Sequence, residues 1–332
     1  MQKGQVYKIH SDLYTVRCGE NFYTCRIREI LKKQKQNILA GDFVEFENDV
    51  ICEVLPRKSF IKRPAVANID QILIVCAVVE PDLDYTQLDR YIALATYYNI
   101  PILLCFNKID LNKDKNLMDE IKNIYSPLGY NIVFTSNVNK IGLDDLKMQL
   151  KGKITALCGN SGVGKSSLIN SLNPNIHLKT NIVSDKTKSG THTTRHCEII
   201  PIDDSTNIVD TPGFSNLKFD FLLPKDLGNL FVEIKNLKNN CKYSDCLHIN
   251  ESGCEVIKNF SKISDSRYNS YREFLNEAFE YKELVKYNGV KTETNSKINN
   301  NKTVAKISEK KRQFSRKRQK QTLYREIEDE QE

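Results

Sequence analysis

Alternation of apolar and polar residues dominates the first sixty positions. The runs Gln5-Val6-Tyr7-Lys8-Ile9, Leu13-Tyr14-Thr15-Val16, Phe22-Tyr23-Thr24-Cys25-Arg26-Ile27, Phe43-Val44-Glu45-Phe46 and Ile51-Cys52-Glu53-Val54 repeat with period two and are split by turn residues. That period sends successive side chains to opposite faces, so each run predicts a half-buried antiparallel strand. Five such strands in so short a stretch suit a small OB-like barrel, with an SH3-like barrel as the alternative. Pro56 and Pro64 mark the exit from it.

The pattern then changes. Ile72-Leu73-Ile74-Val75-Cys76-Ala77 is continuously apolar, as a parallel strand buried on both faces would be. Leu88, Tyr91, Ile92 and Ala95 recur at helical spacing, and strand Ile102–Phe106, a helix near 115–125, strand Ile132–Phe134, a helix near 143–150 and strand Ile154–Cys158 come next. The alternation predicts a doubly wound α/β domain with ligands at the carboxyl ends of its strands. Beyond Phe214 the chain reads as helical and polar, with a Cys/His island and a long helix near 266–285. The expected organisation is a barrel over 1–65, the α/β domain over 66–222, a helical metal-binding domain over 223–290 and a flexible tail over 291–332.

Composition changes the picture in three places. No apolar run approaches the roughly 20 residues of a membrane helix, and the start at Met1 resembles neither a signal nor a transit peptide, so a cytoplasmic protein without membrane contact is expected. Cys76, Cys105 and Cys158 sit singly in apolar strands, which fits a reducing compartment better than disulfides. The net charge of +7 is concentrated in a Lys/Arg-rich stretch between Lys302 and Lys320, before an acidic end, and basic tails of this kind often meet nucleic acid.

Gly159-Asn160-Ser161-Gly162-Val163-Gly164-Lys165-Ser166 comes after an apolar strand and opens a helical pattern, the context a phosphate loop requires. Its glycines let backbone N–H groups converge on phosphate oxygens. Lys165 is the candidate bridge between β- and γ-phosphates, and Ser166 a candidate ligand of Mg²⁺.

Asn107-Lys108-Ile109-Asp110 also lies just past a strand. A carboxylate at Asp110 can accept from guanine N1–H and the exocyclic amine; adenine offers no such pair, and the acid would be left unpaired. Thr135-Ser136-Asn137, one strand later, stands where a second base-contacting loop belongs. The guanine-reading motif here precedes the phosphate loop, the reverse of the ordinary order, so the domain reads as circularly permuted.

Asp210-Thr211-Pro212-Gly213 comes just after strand Asn207–Val209. Asp210 is expected to act on Mg²⁺ through water and the Gly213 N–H to meet the γ-phosphate, so that losing this phosphate frees the segment. The stretch Gly190–His196 suits the other switch, with Thr194 favoured over Thr193 as the second Mg²⁺ ligand. Phe214 stands where many GTPases carry a water-orienting Gln; His192 is the candidate substitute, and slow intrinsic hydrolysis is expected.

Cys241-x4-Cys246-x-His248-x5-Cys254 offers three thiolates and an imidazole, the donor set of a closed, structural Zn²⁺ site.

Taken with Arg63-Pro64-x-Val66-Ala67-Asn68-Ile69-Asp70-Gln71, these ordered motifs resemble the small-ribosomal-subunit-dependent GTPase A family, circularly permuted ribosome-assembly GTPases, over nearly the whole chain. The resemblance implies a monomer that takes GTP/GDP with Mg²⁺, carries one zinc, binds the small ribosomal subunit and its rRNA near the decoding region late in assembly, and is stimulated by that subunit. Thr191 departs from a basic residue common in the family and Asn137 from a small one, which puts rate and nucleotide preference in question.

Overall fold

The computed structural model describes residues 1–33, 37–176, 197–211, 218–219, 221–288, 296–299 and 302–305. The five alternating runs form β1 (Gln2–His10), β2 (Leu13–Cys18), β3 (Asn21–Ile27), β4 (Phe43–Glu47) and β5 (Val50–Val54). They close into a barrel in the order β1-β2-β3-β5-β4, with a short helix α1 (Glu29–Lys33) between β3 and β4. β3 and β5 pair in parallel at Ile27 and Ile51, and β4 closes on β1. This crossover is the OB arrangement, so the SH3-like alternative falls away. Val6, Val16, Cys25, Val44, Phe46 and Ile51, one side of each alternation, fill the interior. A hairpin of β6 (Phe60–Lys62) and β7 (Ala65–Ala67), missed in the sequence, leads out.

Among the described residues the α/β domain has six strands: β8 (Gln71–Ala77), β9 (Ile102–Asn107), β10 (Asn131–Phe134), β11 (Ile154–Cys158), β12 (Glu198–Pro201) and β13 (Asn207–Asp210). Their order is β10-β9-β8-β11-β13-β12, parallel except for β12 at the edge. Both faces are covered, which explains the unbroken apolar run of β8. Ile72 and Ile74 pack under α2 (Tyr85–Tyr97) and α3 (Leu117–Tyr125), while Leu73 and Val75 face α4 (Leu143–Leu150) and α5 (Lys165–Leu172). The expected doubly wound fold is present. The barrel docks on the β12–β13 edge, where the Tyr7 hydroxyl donates to Asn207 Oδ1 at 3.0 Å and Lys8 pairs with Glu198 at 2.8 Å.

A helical module comes next: α6 (Pro224–Leu227), α7 (Val232–Lys238), α8 (Glu255–Lys258) and the long α9 (Asp265–Asn288). Its core of Leu227, Phe231, Ile234, Tyr271, Phe274 and Leu275 reaches Ala93 of α2. Beneath that contact Arg267 is only 1% exposed. Its Nη1 donates to Asp89 Oδ1 of α2 at 2.7 Å, and Nε and Nη2 donate to Glu233 of α7 at 2.8 and 3.1 Å. Asp89 Oδ1 also accepts from the Tyr125 hydroxyl at 2.9 Å. The next residue of α2, Arg90, stacks on Phe274 and pairs with Glu277 at 2.7 Å. The module is thus fixed to α2 by charge as well as by packing.

A separate unit, Leu284–Glu332, contains strands β14 (Ser296–Asn299) and β15 (Lys302–Ala305), paired antiparallel inside the stretch expected to be a flexible tail. Ile298 and Val304 supply β-branched positions there that the overall polarity hid. Among the described residues no helix is long and apolar enough to cross a membrane.

Arg267 sets a stability prediction. Arg267→Met leaves Asp89 and Glu233 buried without their cation, and thermal or urea unfolding should show a loss of about 3–5 kcal/mol. Lys3→Ala, which removes an exposed pair with Glu45, should cost under about 1 kcal/mol in the same assay.

Candidate functional site

Four parallel strands, β9, β10, β11 and β13, end on the same side of the sheet, and each delivers one of the motifs. Asn107 closes β9 and is 1% exposed. Its Nδ2 donates to the Val163 carbonyl of the phosphate loop at 2.9 Å, and its Oδ1 accepts from Thr135 Oγ1 at 3.0 Å. One amide therefore joins the guanine-reading motif, the second base loop and the phosphate loop. Lys108 adopts a left-handed backbone (φ 62°), which turns the chain so that Asp110 comes next in a short 3-10 turn, exposed to solvent. Ser136 Oγ donates to Asp110 Oδ1 and holds that carboxylate in place. Lys108 Nζ donates to the Glu80 carbonyl, which draws in the loop after β8. Ile109 is the spacer of the motif and is half-buried.

Asn137 enters the same corner. Its Oδ1 is buried and makes no hydrogen bond within the described residues. A buried acceptor without a donor is costly, so the corner is built to receive a polar group. With Asp110 exposed beside it, these residues fit a guanine base.

The phosphate loop runs from Gly159 to Ser166 between β11 and α5. Gly159 has φ 147°, and a Cβ there would meet the Val75 carbonyl at 2.2 Å. Gly164 has φ 94°, and a Cβ would sit 2.5 Å from Asn107 Nδ2. Backbone and side chain approach so closely there that only glycine serves. Lys165 Nζ folds back to donate to the Gly159 and Asn160 carbonyls at 2.8 and 2.7 Å. Desolvation holds its pKa below the ordinary lysine value, an ammonium short of anionic partners. Phosphate oxygens would supply them. Ser161 is exposed at the tip, Gly162 turns the loop with φ 80°, and Ser166 lies half-buried in the first turn of α5.

Asp210 ends β13. Desolvation raises its carboxyl above the usual range even though the residue as a whole is exposed, and Lys165 partly offsets that rise. Thr211, buried, donates its hydroxyl to the Leu157 carbonyl of β11 and pins the start of the next segment to the phosphate-loop strand. Gly213, Thr194 and His192 lie outside the described residues, as does Phe214. The sequence reading missed Tyr91, whose hydroxyl donates to Asn160 Oδ1 at 2.7 Å, and Glu80 and Thr211 as braces of the site. Tyr91 had only its helical spacing as a signal, which marked it as core.

The second constellation is the cage of Cys241, Cys246, His248 and Cys254, whose ligand atoms all lie within 4.8 Å of one another. Cys241 Sγ is 4.0 Å from Cys254 Sγ, and His248 Nδ1 is 3.7 and 3.6 Å from these two sulfurs. A tetrahedral zinc would set about 3.8 Å between sulfurs and about 3.5 Å between sulfur and nitrogen. The residues fit the metal. Glu251 shapes the loop by accepting from the N–H groups of Leu247, Ile249 and Asn250, while the Tyr268 hydroxyl holds the His248 carbonyl at 2.7 Å. Burial pushes the Cys246 thiol up to about 12, a cost that a dication in the cage removes.

The geometry at Gly164 predicts a single-methyl defect. Gly164→Ala should weaken guanine nucleotide binding at least about tenfold, from the clash with Asn107 and the left-handed backbone together, as measured by calorimetry.

Comparison with known proteins agrees with this geometry. The profile of the RsgA GTPase family matches residues 54–220, and that of the RsgA N-terminal domain matches residues 3–51. The small ribosomal subunit biogenesis GTPase RsgA of Alkaliphilus metalliredigens is 38% identical over 286 residues, covering 83% of this chain and 98% of that relative. Its counterpart in Agathobacter rectalis is 40% identical over 263 residues, covering 76% and 87%. Among solved structures, YjeQ from Thermotoga maritima superposes with a TM-score of 0.74 at 34% identity, covering 84% of this chain and 98% of the other. YloQ, described as a circularly permuted GTPase, gives 0.70 at 30% identity, covering 84% and 96%. The chain belongs to the RsgA GTPase family, and is a circularly permuted GTPase.

Proposed function

We propose that this GTPase binds the small ribosomal subunit and its rRNA in the cytoplasm, as a monomer, assists late maturation, and hydrolyses GTP under stimulation by the subunit so that it can leave. The observation that carries the reading is the Asn107–Val163 bond, which assembles a guanine pocket and a phosphate loop on a chain whose relatives are named for small-subunit biogenesis. Asp110, braced by Ser136, reads the base, and Asn107, Lys108 and Asn137 shape its pocket. Lys165 leaves the two loop carbonyls and takes the β- and γ-phosphates. Mg²⁺, held by Ser166 and Thr194 with Asp210 behind a water, would neutralise charge on the phosphates. His192 orients the attacking water, a task for which Phe214 is unsuited, and the subunit completes the arrangement.

Two anchors define the route from nucleotide to RNA-binding surfaces. Thr211 is tied to β11, and the Phe219 N–H donates to Glu277 Oε2 of α9 at 2.9 Å. The segment between them carries Gly213, so γ-phosphate contact there is transmitted to α9 at Phe219. The module does not swing as a whole, because that would break the buried Arg267 pairs. The barrel and the zinc-bearing module then grip rRNA with salt-dependent phosphate contacts, in a state GTP favours.

Hydrolysis by the purified protein should be slow alone, rise strongly with small subunits and stay flat with large ones. Equal rates in all three conditions would remove the ribosomal assignment while leaving the fold and pocket in place. Metal analysis should find one zinc per chain, and Cys254→Ser should lose it together with thermal stability of the helical module. Full stability without metal would remove the structural zinc.

A further inference from the structure

Asn160 is held from two sides. Its backbone carbonyl accepts from Lys165 Nζ, and its side-chain Oδ1 accepts from the Tyr91 hydroxyl. The first bond belongs to the loop without phosphate. Once the Lys165 ammonium turns to phosphate oxygens, the Gly159 and Asn160 carbonyls both lose it. The second bond involves no group that phosphate needs, and it can persist through the cycle.

Tyr91 is well placed to serve as a fixed post. It is buried on α2, its ring packed in the main core beside Leu88 and Ile92. The two residues before it, Asp89 and Arg90, are locked to α9 through Arg267, Glu277 and Glu273. A helix clamped on one side by ion pairs presents a hydroxyl on another to the second residue of the phosphate loop.

We propose that Tyr91 is a positioning residue of the phosphate loop: by holding Asn160 it keeps the loop in its binding shape after Lys165 has released the loop carbonyls. Tyr91 touches no reacting atom. Its effect falls on nucleotide retention and not on the chemical step. The proposal rests on the phosphate loop holding the nucleotide, which Lys165→Ala tests independently by abolishing binding.

The experiment is a double-mutant cycle on dissociation of fluorescent GDP and of a non-hydrolysable GTP analogue, using wild type, Tyr91→Phe, Asn160→Ala and the double variant. Tyr91→Phe removes one hydroxyl and keeps the ring. It should speed dissociation of both nucleotides by about three- to tenfold. Asn160→Ala should do the same, and the double variant should be no faster than the faster single one. In Tyr91→Phe, KM for GTP should rise while the maximal subunit-stimulated rate stays within about twofold. Dissociation unchanged in Tyr91→Phe, or single effects that multiply in the double variant, would overturn the proposal. Should Tyr91→Phe fold poorly, Asn160→Ala tests the same bond from the loop side, and unchanged dissociation in it would overturn the proposal equally. Normal binding by Lys165→Ala would instead overturn the site on which the proposal stands.

Discussion

The side-chain amide of Asn107 is the contact on which the pocket depends. Its nitrogen and oxygen are both spent on protein, one on the Val163 carbonyl and the other on Thr135. Through these two bonds the amide fixes the distance between the base-reading loops and the phosphate loop, which must match the length of a nucleotide. Its bond crosses β8, which lies between β9 and β11 in the sheet. Gly164 is glycine because that amide occupies the space a side chain would need. This explains how the order of motifs can be permuted without loss. A parallel sheet brings its strand ends to one edge whatever the order of synthesis, and Asn107 needs only that edge.

Arg267 plays the corresponding part on the other side of α2. Removing a guanidinium from water is expensive, and here Asp89 and Glu233 outweigh that cost enough to keep its pKa raised. Such a pair is a weak argument for stability in itself. It is a strong one for register, because both acids and the Tyr125 hydroxyl must meet within hydrogen-bonding distance around one arginine. The helical module can therefore dock on α2 in one way, which places Glu277 opposite the Phe219 N–H.

Local features of this fold were legible in the sequence. Period-two alternation gave five barrel strands, continuous apolar runs gave the parallel strands, and each motif sat just past a strand where it could be placed on the carboxyl edge. The Cys/His spacing gave the metal cage. Non-local polar pairing was not legible. Arg267 is 178 residues from Asp89 and 34 from Glu233, and each reads as an ordinary exposed charge on an amphipathic helix. Tyr91 matched the spacing of its apolar neighbours so well that nothing pointed to its hydroxyl. The hairpin of β6 and β7 escaped because strands of three residues carry too little alternation to register.

The permutation has a mechanical consequence for the strand that bears Asp210. In a G domain of ordinary order, the segment after this strand returns to the sheet and is bound at both ends by the domain itself. Here the chain enters the sheet at β8 and leaves it at β13, and past Asp210 it runs on into the helical module. Thr211 anchors one end of the leaving segment to the phosphate-loop strand, and Glu277 of α9 anchors the other at Phe219. The chain between those anchors includes Gly213 and joins the phosphate-loop strand to α9. Cutting the fold at this place makes the leaving segment a covalent link between the G-domain sheet and the helical module. The barrel bears on the same part of the sheet at its β12–β13 edge, through Lys8 on Glu198 and Tyr7 on Asn207.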